Sequence, residues 1–357
     1  LDEVTRGQRN LFALSVFRFA LIDTPGQAPD STIDLRVRVQ RGDLNVVRAQ
    51  TGYGLDDGLE LSGEYTRRNF LGGARRFTLS GILNTTIGQQ TAGDVAPTDR
   101  KRLAVSVFQP YIFRRSLSAL VAIFYDRLID RTSQEEEYGG GTDLLYEFKP
   151  YRTLTSGISI SRVQPLKVDP GDNPDPFIRG IYSSVAVLGS TDDYIAPTEG
   201  FLIRPSLEIG TPLLLSEVEY VKVGMSGTIY KQIGRIGGLA FRLFRGRLLP
   251  LGGVGDDEAI ESDRFDRTRY YAGGADDVRG WAPQLLGPKE AVVVEQDTLW
   301  DPRGRLDKWL GNVAYRFPLR FTPPEVQWAL FADAAQLGDD EIRIGVGGGV
   351  RYKTPVG

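Results

Sequence analysis

RYYAGGADDVRGWAPQLLGP, Arg269 to Pro288, has a composition that ordinary packing does not explain. It holds the closely spaced glycines Gly273, Gly274 and Gly280, an acidic pair, and one arginine between apolar neighbours. Glycine tolerates positive φ and close backbone approach, so AGG followed by VRG predicts a sharply folded loop with Arg279 at its tip. An arginine pointing into bulk water needs no such frame.

The chain around this loop alternates with a period of two. Leu59, Leu61 and Tyr65 interleave with Glu60, Ser62 and Glu64, and Phe77, Leu79 and Leu83 with Arg76, Thr78 and Ser80. The same pattern returns at Leu103 to Val107, Ala119 to Tyr125, Leu144 to Phe148, Phe201 to Ile209 and Leu239 to Leu243. One face of each segment is apolar and the other polar. About fourteen such segments occur, many near the ~9 to 11 residues that cross a bilayer as a tilted strand. A soluble sandwich also alternates. Charges on the polar face at Lys222, Arg242, Arg343 and Arg351 favour a water-filled lumen, and aromatics near strand ends (Phe70, Tyr111, Phe113, Tyr151, Phe201, Tyr230, Phe321) fit interfacial girdles. Short links are expected at 56–58, 71–73, around Ser116 and around Thr153, on the periplasmic side. Longer polar loops are expected at 89–99, 130–137, 167–176 and 252–269, on the outer side. The acidic runs in these loops, Glu135 to Glu137 and Asp256 to Glu258, read as solvated. So do Asp169, Asp172 and Asp175, with Ca²⁺ binding as the alternative.

Composition removes whole classes of chemistry. The 357 residues contain no histidine and no cysteine, which excludes Ser-His-Asp and Cys-His catalysis, the usual zinc ligand sets and disulfides. With 43 basic and 46 acidic residues well mixed, no footprint for nucleic acid exists. No apolar run approaches the ~18 residues of a spanning helix, so a membrane protein of this sequence is a β-barrel. Gly345 to Val350, GVGGGV, follows a strand pattern with no helix after it, so it reads as close barrel packing rather than a phosphate loop. No metal, no cofactor and no enzymatic activity is expected. Ahead of the barrel, Val4 to Leu14 reads as a short helix, Val16 to Ile22 as a strand, Thr24 to Ser31 as a loop and Ile33 to Val39 as a second strand.

The loop resembles the sixth extracellular loop of the outer-membrane barrel assembly superfamily typified by BamA and TamA. The match runs through Gly273, Gly274, Val278, Arg279, Gly280 and Trp281 and continues in Leu286, Gly287 and Pro288. Further on, NVAYRFPL (Asn312 to Leu319), QWALFAD (Gln327 to Asp333) and IRIGVGGGVRYKTPVG (Ile342 to Gly357) resemble the strands after that loop. QRNLFALSVFRFALI with TIDLRVRVQRGD resembles the end of a POTRA module, the periplasmic domain that precedes such barrels. The resemblance implies an all-β transmembrane antiparallel β-barrel of sixteen strands, its last strands missing here, after a partial α+β POTRA domain. It likewise implies that residues 1–43 are the C-terminal part of a POTRA domain, and 44–357 the barrel with a long inward-folded loop at 252–309. The start at Leu1 is expected to make this a piece of a larger precursor.

In that superfamily the loop arginine pairs with acidic residues on the following strands. Period-two counting from Trp328 and Leu330 as lipid-facing puts Asp333 in the lumen, at the family's acidic position. The second family acid falls on Ala314, a departure that leaves Asp333, with Glu208 and Glu219 as unplaced alternatives. The function implied is reception of unfolded outer-membrane proteins from the periplasm and their insertion through a lateral seam. The bilayer, periplasmic chaperones and accessory lipoproteins are the implied partners, with the barrel in the bacterial outer membrane and the POTRA part in the periplasm. The seam strand is LNVVRAQTGYG. Its weak alternation around Val46 and Val47, and Gly52 and Gly54 near its end, make it easier to unpair, although these glycines equally suit a turn. An export channel of the two-partner type is the alternative, and a passive porin a third reading.

Overall fold

A computed structural model of the chain describes residues 2–23, 35–54, 58–85, 99–130, 132–149, 151–166, 175–193, 197–234, 237–294, 297–319, 323 and 326–352. Helix α1 (Asp2–Ala13) precedes β1 (Phe17–Asp23) and β2 (Arg36–Arg41), which pair antiparallel as a separate two-stranded sheet. Ile22 packs where a side chain at Gly7 would stand, so helix and hairpin lie close together. The Tyr111 hydroxyl donates to the Asn10 carbonyl at 2.9 Å, tying α1 to a turn of the main sheet.

Eleven strands then follow as antiparallel neighbours: β3 (Asn45–Gly54), β4 (Gly58–Arg68), β5 (Arg76–Thr85), β6 (Asp99–Gln109), β7 (Leu117–Ile129), β8 (Gln134–Lys149), β9 (Arg152–Pro165), β10 (Phe177–Thr191), β11 (Gly200–Gly210), β12 (Tyr220–Ile233) and β13 (Gly237–Pro250). The loop 251–306 carries helix α2 (Asp256–Glu261) and the hairpin β14 (Lys289–Val294) and β15 (Asp297–Pro302). β16 (Asp307–Phe317) pairs with β13, and β17 (Val326–Leu337) and β18 (Arg343–Tyr352) complete a fourteen-stranded sheet. Its edges, β3 and β18, are not paired with each other among the described residues.

Alternation explains why these segments are strands and where they sit. The register stacks Tyr65, Leu79, Val105 and Ile123 across four strands on one face. On that face Leu103, Val121, Ile123, Phe241, Leu330 and Val346 are all exposed. An apolar surface of that extent is unstable in water and suits contact with lipid. Lengths run from 10 residues in β3 to 16 in β8, enough to cross a bilayer at a tilt. The opposite face is polar, and loop 251–306 packs against it in two apolar clusters, so it is the lumen.

Several boundaries differ from expectation. Glu135 to Glu137 belong to β8 rather than to a loop, and the connection before it shrinks to 130–133. β16 begins at Asp307, so the long loop is 251–306 rather than 252–309. The antiparallel order places the link after β3 at the same end as the loop 251–306, not with the short turns 69–75 and 110–116. Phe70, Tyr111, Phe113, Tyr151 and Phe201 gather at that second end, whereas Tyr230 turns inward to line a lumenal cavity. Thr24 to Ser31, Ile33, Asp169, Asp172, Phe321 and Thr354 to Gly357 lie outside the described residues.

Candidate functional site

The tip of the loop is a tight backbone knot. Gly273, Gly274 and Gly280 have φ of 109°, 99° and 90°, values that side-chain-bearing residues rarely adopt. A side chain at Gly273 would also strike the Ala282 carbonyl. The Gly274 amide donates to Trp281 at 2.9 Å, and the Leu286 amide to Ala272 at 2.9 Å. Asp277 fastens the knot from within, accepting from the Gly273 amide at 3.0 Å and from Lys308 Nζ at 2.6 Å. Val278 is fully buried among Ala272, Leu286, Leu310, Ala335 and Leu337, and acts as a peg beside the arginine.

Arg279 meets Asp333 through three hydrogen bonds. Its Nε donates to Oδ2 at 2.7 Å, its Nη2 to Oδ1 at 2.7 Å, and its backbone amide to Oδ2 at 3.1 Å. The guanidinium carbon lies 3.6 Å from the centre of the Phe331 ring. Bidentate pairing and stacking are both specific to a planar guanidinium, so lysine would not replace it. Asn312 Nδ2 donates to Asp333 Oδ1 at 2.9 Å and to the Asp277 carbonyl at 2.7 Å. This amide, two residues before Ala314, holds the carboxylate from a second side. Glu208 instead accepts from the Tyr220 hydroxyl at 2.6 Å, and Glu219 lies beside Gly252, so neither serves Arg279.

Strand β18 is shaped around this tip. A Cβ at Gly345 would overlap the Arg279 carbonyl oxygen, and one at Gly347 would collide with the Phe331 ring. Trp281 Nε1 donates to the Ile344 carbonyl at 3.3 Å. Within the GVGGGV run, Gly345 therefore makes room for the loop and Gly347 for the Phe331 ring. Of the seam-strand residues, Val46 faces the lumen, Val47 is exposed on the outer face, and β3 pairs with β4 along its whole length through Gly52 and Gly54.

A second charged assembly holds the base of the loop, and the sequence had not pointed to it. Arg267 Nη1 donates to Glu135 at 2.8 Å and to Glu137 at 2.7 Å, and its Nη2 lies 3.7 Å from Asp126. Arg179, only 4% exposed, donates to both Glu135 oxygens at 3.0 and 3.2 Å. Arg100 grips Asp126 in bidentate fashion at 3.1 and 2.8 Å. Ser161 donates to Glu137 at 2.5 Å. Phe265, Ala259 and Leu306 of the loop pack above it on Val163, Phe177, Tyr220 and Leu248 of the wall. The usable signal was the spacing of Glu135 and Glu137, two residues apart and so on one face of a strand. Between base and tip, Tyr270 lies over Lys222 at 4.5 Å, and burial, then Glu208 and Asp307, push its phenol up to about 12.

The loop thus spans the lumen from β7–β10 to β16–β18, and the Omp85 superfamily domain matches residues 69–357. The chain belongs to the Omp85 superfamily. Omp85 barrels are outer-membrane proteins that act as non-enzymatic assembly or transport factors, and this chain has their many-stranded antiparallel sheet. Its structure is similar to BamA from Haemophilus ducreyi lacking POTRA domains 1–3, with a TM-score of 0.77 at 17% identity, covering 99% of this chain and 72% of that one. It is also similar to CdiB from Acinetobacter baumannii, with a TM-score of 0.56 at 11% identity, covering 99% of this chain and 62% of that one. At such identities the likeness is one of fold.

Proposed function

We propose that this Omp85 chain is the barrel part of an assembly factor that receives unfolded outer-membrane proteins from the periplasm and promotes their insertion through a lateral seam. The observation that carries this reading is the Arg279–Asp333 lock, which fixes a loop inside the lumen against β16, β17 and β18. A pore with a fixed wall does not require such a brace on β16, β17 and β18. A factor whose wall must open and reclose does, because the lock braces the strands near one edge while β3 at the other stays free to unpair. On this reading residues 44–357 form a barrel that two further strands complete to sixteen, 1–43 end a POTRA domain in the periplasm, and chaperones and lipoproteins deliver cargo.

The test is depletion of the full-length protein in its host, followed by quantitation of every outer-membrane barrel and secreted protein. A broad fall in unrelated barrels, rescued by the native gene and poorly by Arg279→Ala, is the expected result. Loss of a single secreted protein would replace the proposal with a dedicated exporter. Altered small-solute uptake alone would replace it with a porin.

A further inference from the structure

Beside the loop tip, toward the end of the sheet where β12 leads into β13, the lumen holds a cavity of about 540 Å³. Five arginines reach it from four strands and the loop: Arg204 on β11, Arg242 on β13, Arg316 on β16, Arg351 on β18, and Arg279. Asp276 and Asp277 are the carboxylates on its wall, and Asp277 is already held by Lys308 at 2.6 Å. Arg279 is satisfied by Asp333. Among the described residues the other four arginines make no ion pair; Arg242 reaches only the Asp276 carbonyl, at 3.1 Å. Arg316 Nε is buried with no hydrogen-bond partner among the described residues.

Guanidinium groups gathered around one cavity repel one another unless an anion joins them, and most strongly where they are half-buried, as Arg242 and Arg316 are while Arg204 and Arg351 are exposed. We infer that this cavity binds carboxylate-rich stretches of unfolded polypeptide, an inference that rests on the proposed handling of such chains. Its volume far exceeds the ~30 Å³ of a water molecule, so one small anion would leave most of the guanidinium groups unserved. Four of the arginines are spread over four strands, a spacing that suits several carboxylates along an extended chain better than one compact anion. Phe244 and Tyr230 supply apolar and hydroxyl wall between the charges, as a peptide backbone and its side chains require.

The test uses the full chain in discs of zwitterionic lipid and a fluorescent extended peptide bearing Glu at regular intervals, with its Gln counterpart as reference. The Glu peptide is expected to bind about tenfold tighter, a difference that shrinks as salt screens it. Arg316→Gln with Arg351→Gln should bring both peptides to the same affinity, the Lys double variant should restore most of the preference, and outer-face Arg245→Gln should leave it intact. Equal binding of the two peptides, an unchanged preference in the Gln double variant, or displacement by inorganic phosphate at matched charge would overturn the inference. Glu preference together with unchanged barrel and secreted proteins on depletion would sink the proposed function and leave the carboxylate selectivity standing.

Discussion

The two ends of the long loop are held by arginine in opposite styles. At the tip, Arg279 is 24% exposed and pairs with the wholly buried Asp333, while Lys308 pairs separately with Asp277, so each carboxylate there has one cation, beside a water-accessible cavity. At the base, Arg267, Arg179, Arg100 and Arg102 share Asp126, Glu135 and Glu137, under an apolar cluster. A carboxylate with one cation has one way to lose it. In the shared network each carboxylate keeps a second cation when one is lost, so the base is built to stay and the tip to let go.

Removing Arg179 should separate the ends most sharply, since it leaves Glu135 and Glu137 sharing only Arg267. The expected loss is about 3–5 kcal/mol, the range for breaking a buried pair, read from urea unfolding of the chain in vesicles. If Arg179→Ala unfolds like the native chain, the base is not an anchor. Next, Gly345→Ala should expel the tip because its methyl group needs the space of the Arg279 carbonyl. Protease should then cut near 274–281 while the 259–267 segment stays protected; protection at both would mean the tip tolerates the strain. Arg279→Lys, which keeps charge but loses the two-pronged contact and the Phe331 stacking, should weaken the tip by roughly 1–3 kcal/mol. A disulfide-trapping comparison of tip mobility against Arg279→Ala would measure it, and equal trapping in native and Lys chains would show that charge alone suffices.

The smallest effect lies far from both ends. Asp192 accepts from the Thr198 hydroxyl and from the Thr198 and Glu199 amides, and these bonds, the hydroxyl's foremost, hold its carboxyl well below the usual range. With its folded value depressed, its contribution is complete above the ordinary carboxylate pKa and is lost as pH falls through the folded value. Asp192→Asn should therefore speed hydrogen exchange of the Thr198 and Glu199 amides slightly at neutral pH and erase the acid sensitivity of that exchange. An unchanged acid profile would show that other groups govern it.

The contrast also marks what sequence reveals. The tip was legible because its glycines, Val278, Arg279 and Trp281 are contiguous, and because strand parity alone puts Asp333 in the lumen. The base was not, because its charges come from β7, β8, β10 and the loop, and nothing local links Glu135 to Arg267 across 132 residues. Three successive glutamates look like a solvated run, and only a partner cation makes them tenable in a strand. The same limit applies to Asn312. Its role as second holder of Asp333 depends on β16 pairing with β17, whereas a linear comparison led to Ala314.

The bare inner edge of β18 also sets an order of events. The Arg279 carbonyl occupies the space a side chain at Gly345 would fill, and the Phe331 ring that at Gly347, so the strand's inner contour is completed by the loop tip and β17. A tip that arrives after β18 has docked must slide under it, and a tip that leaves uncovers β18 from within. Withdrawal of the plug and loosening of the last described strand are then one transition, expected to appear as a shared opening rate for the Arg279 amide and the amides of β18.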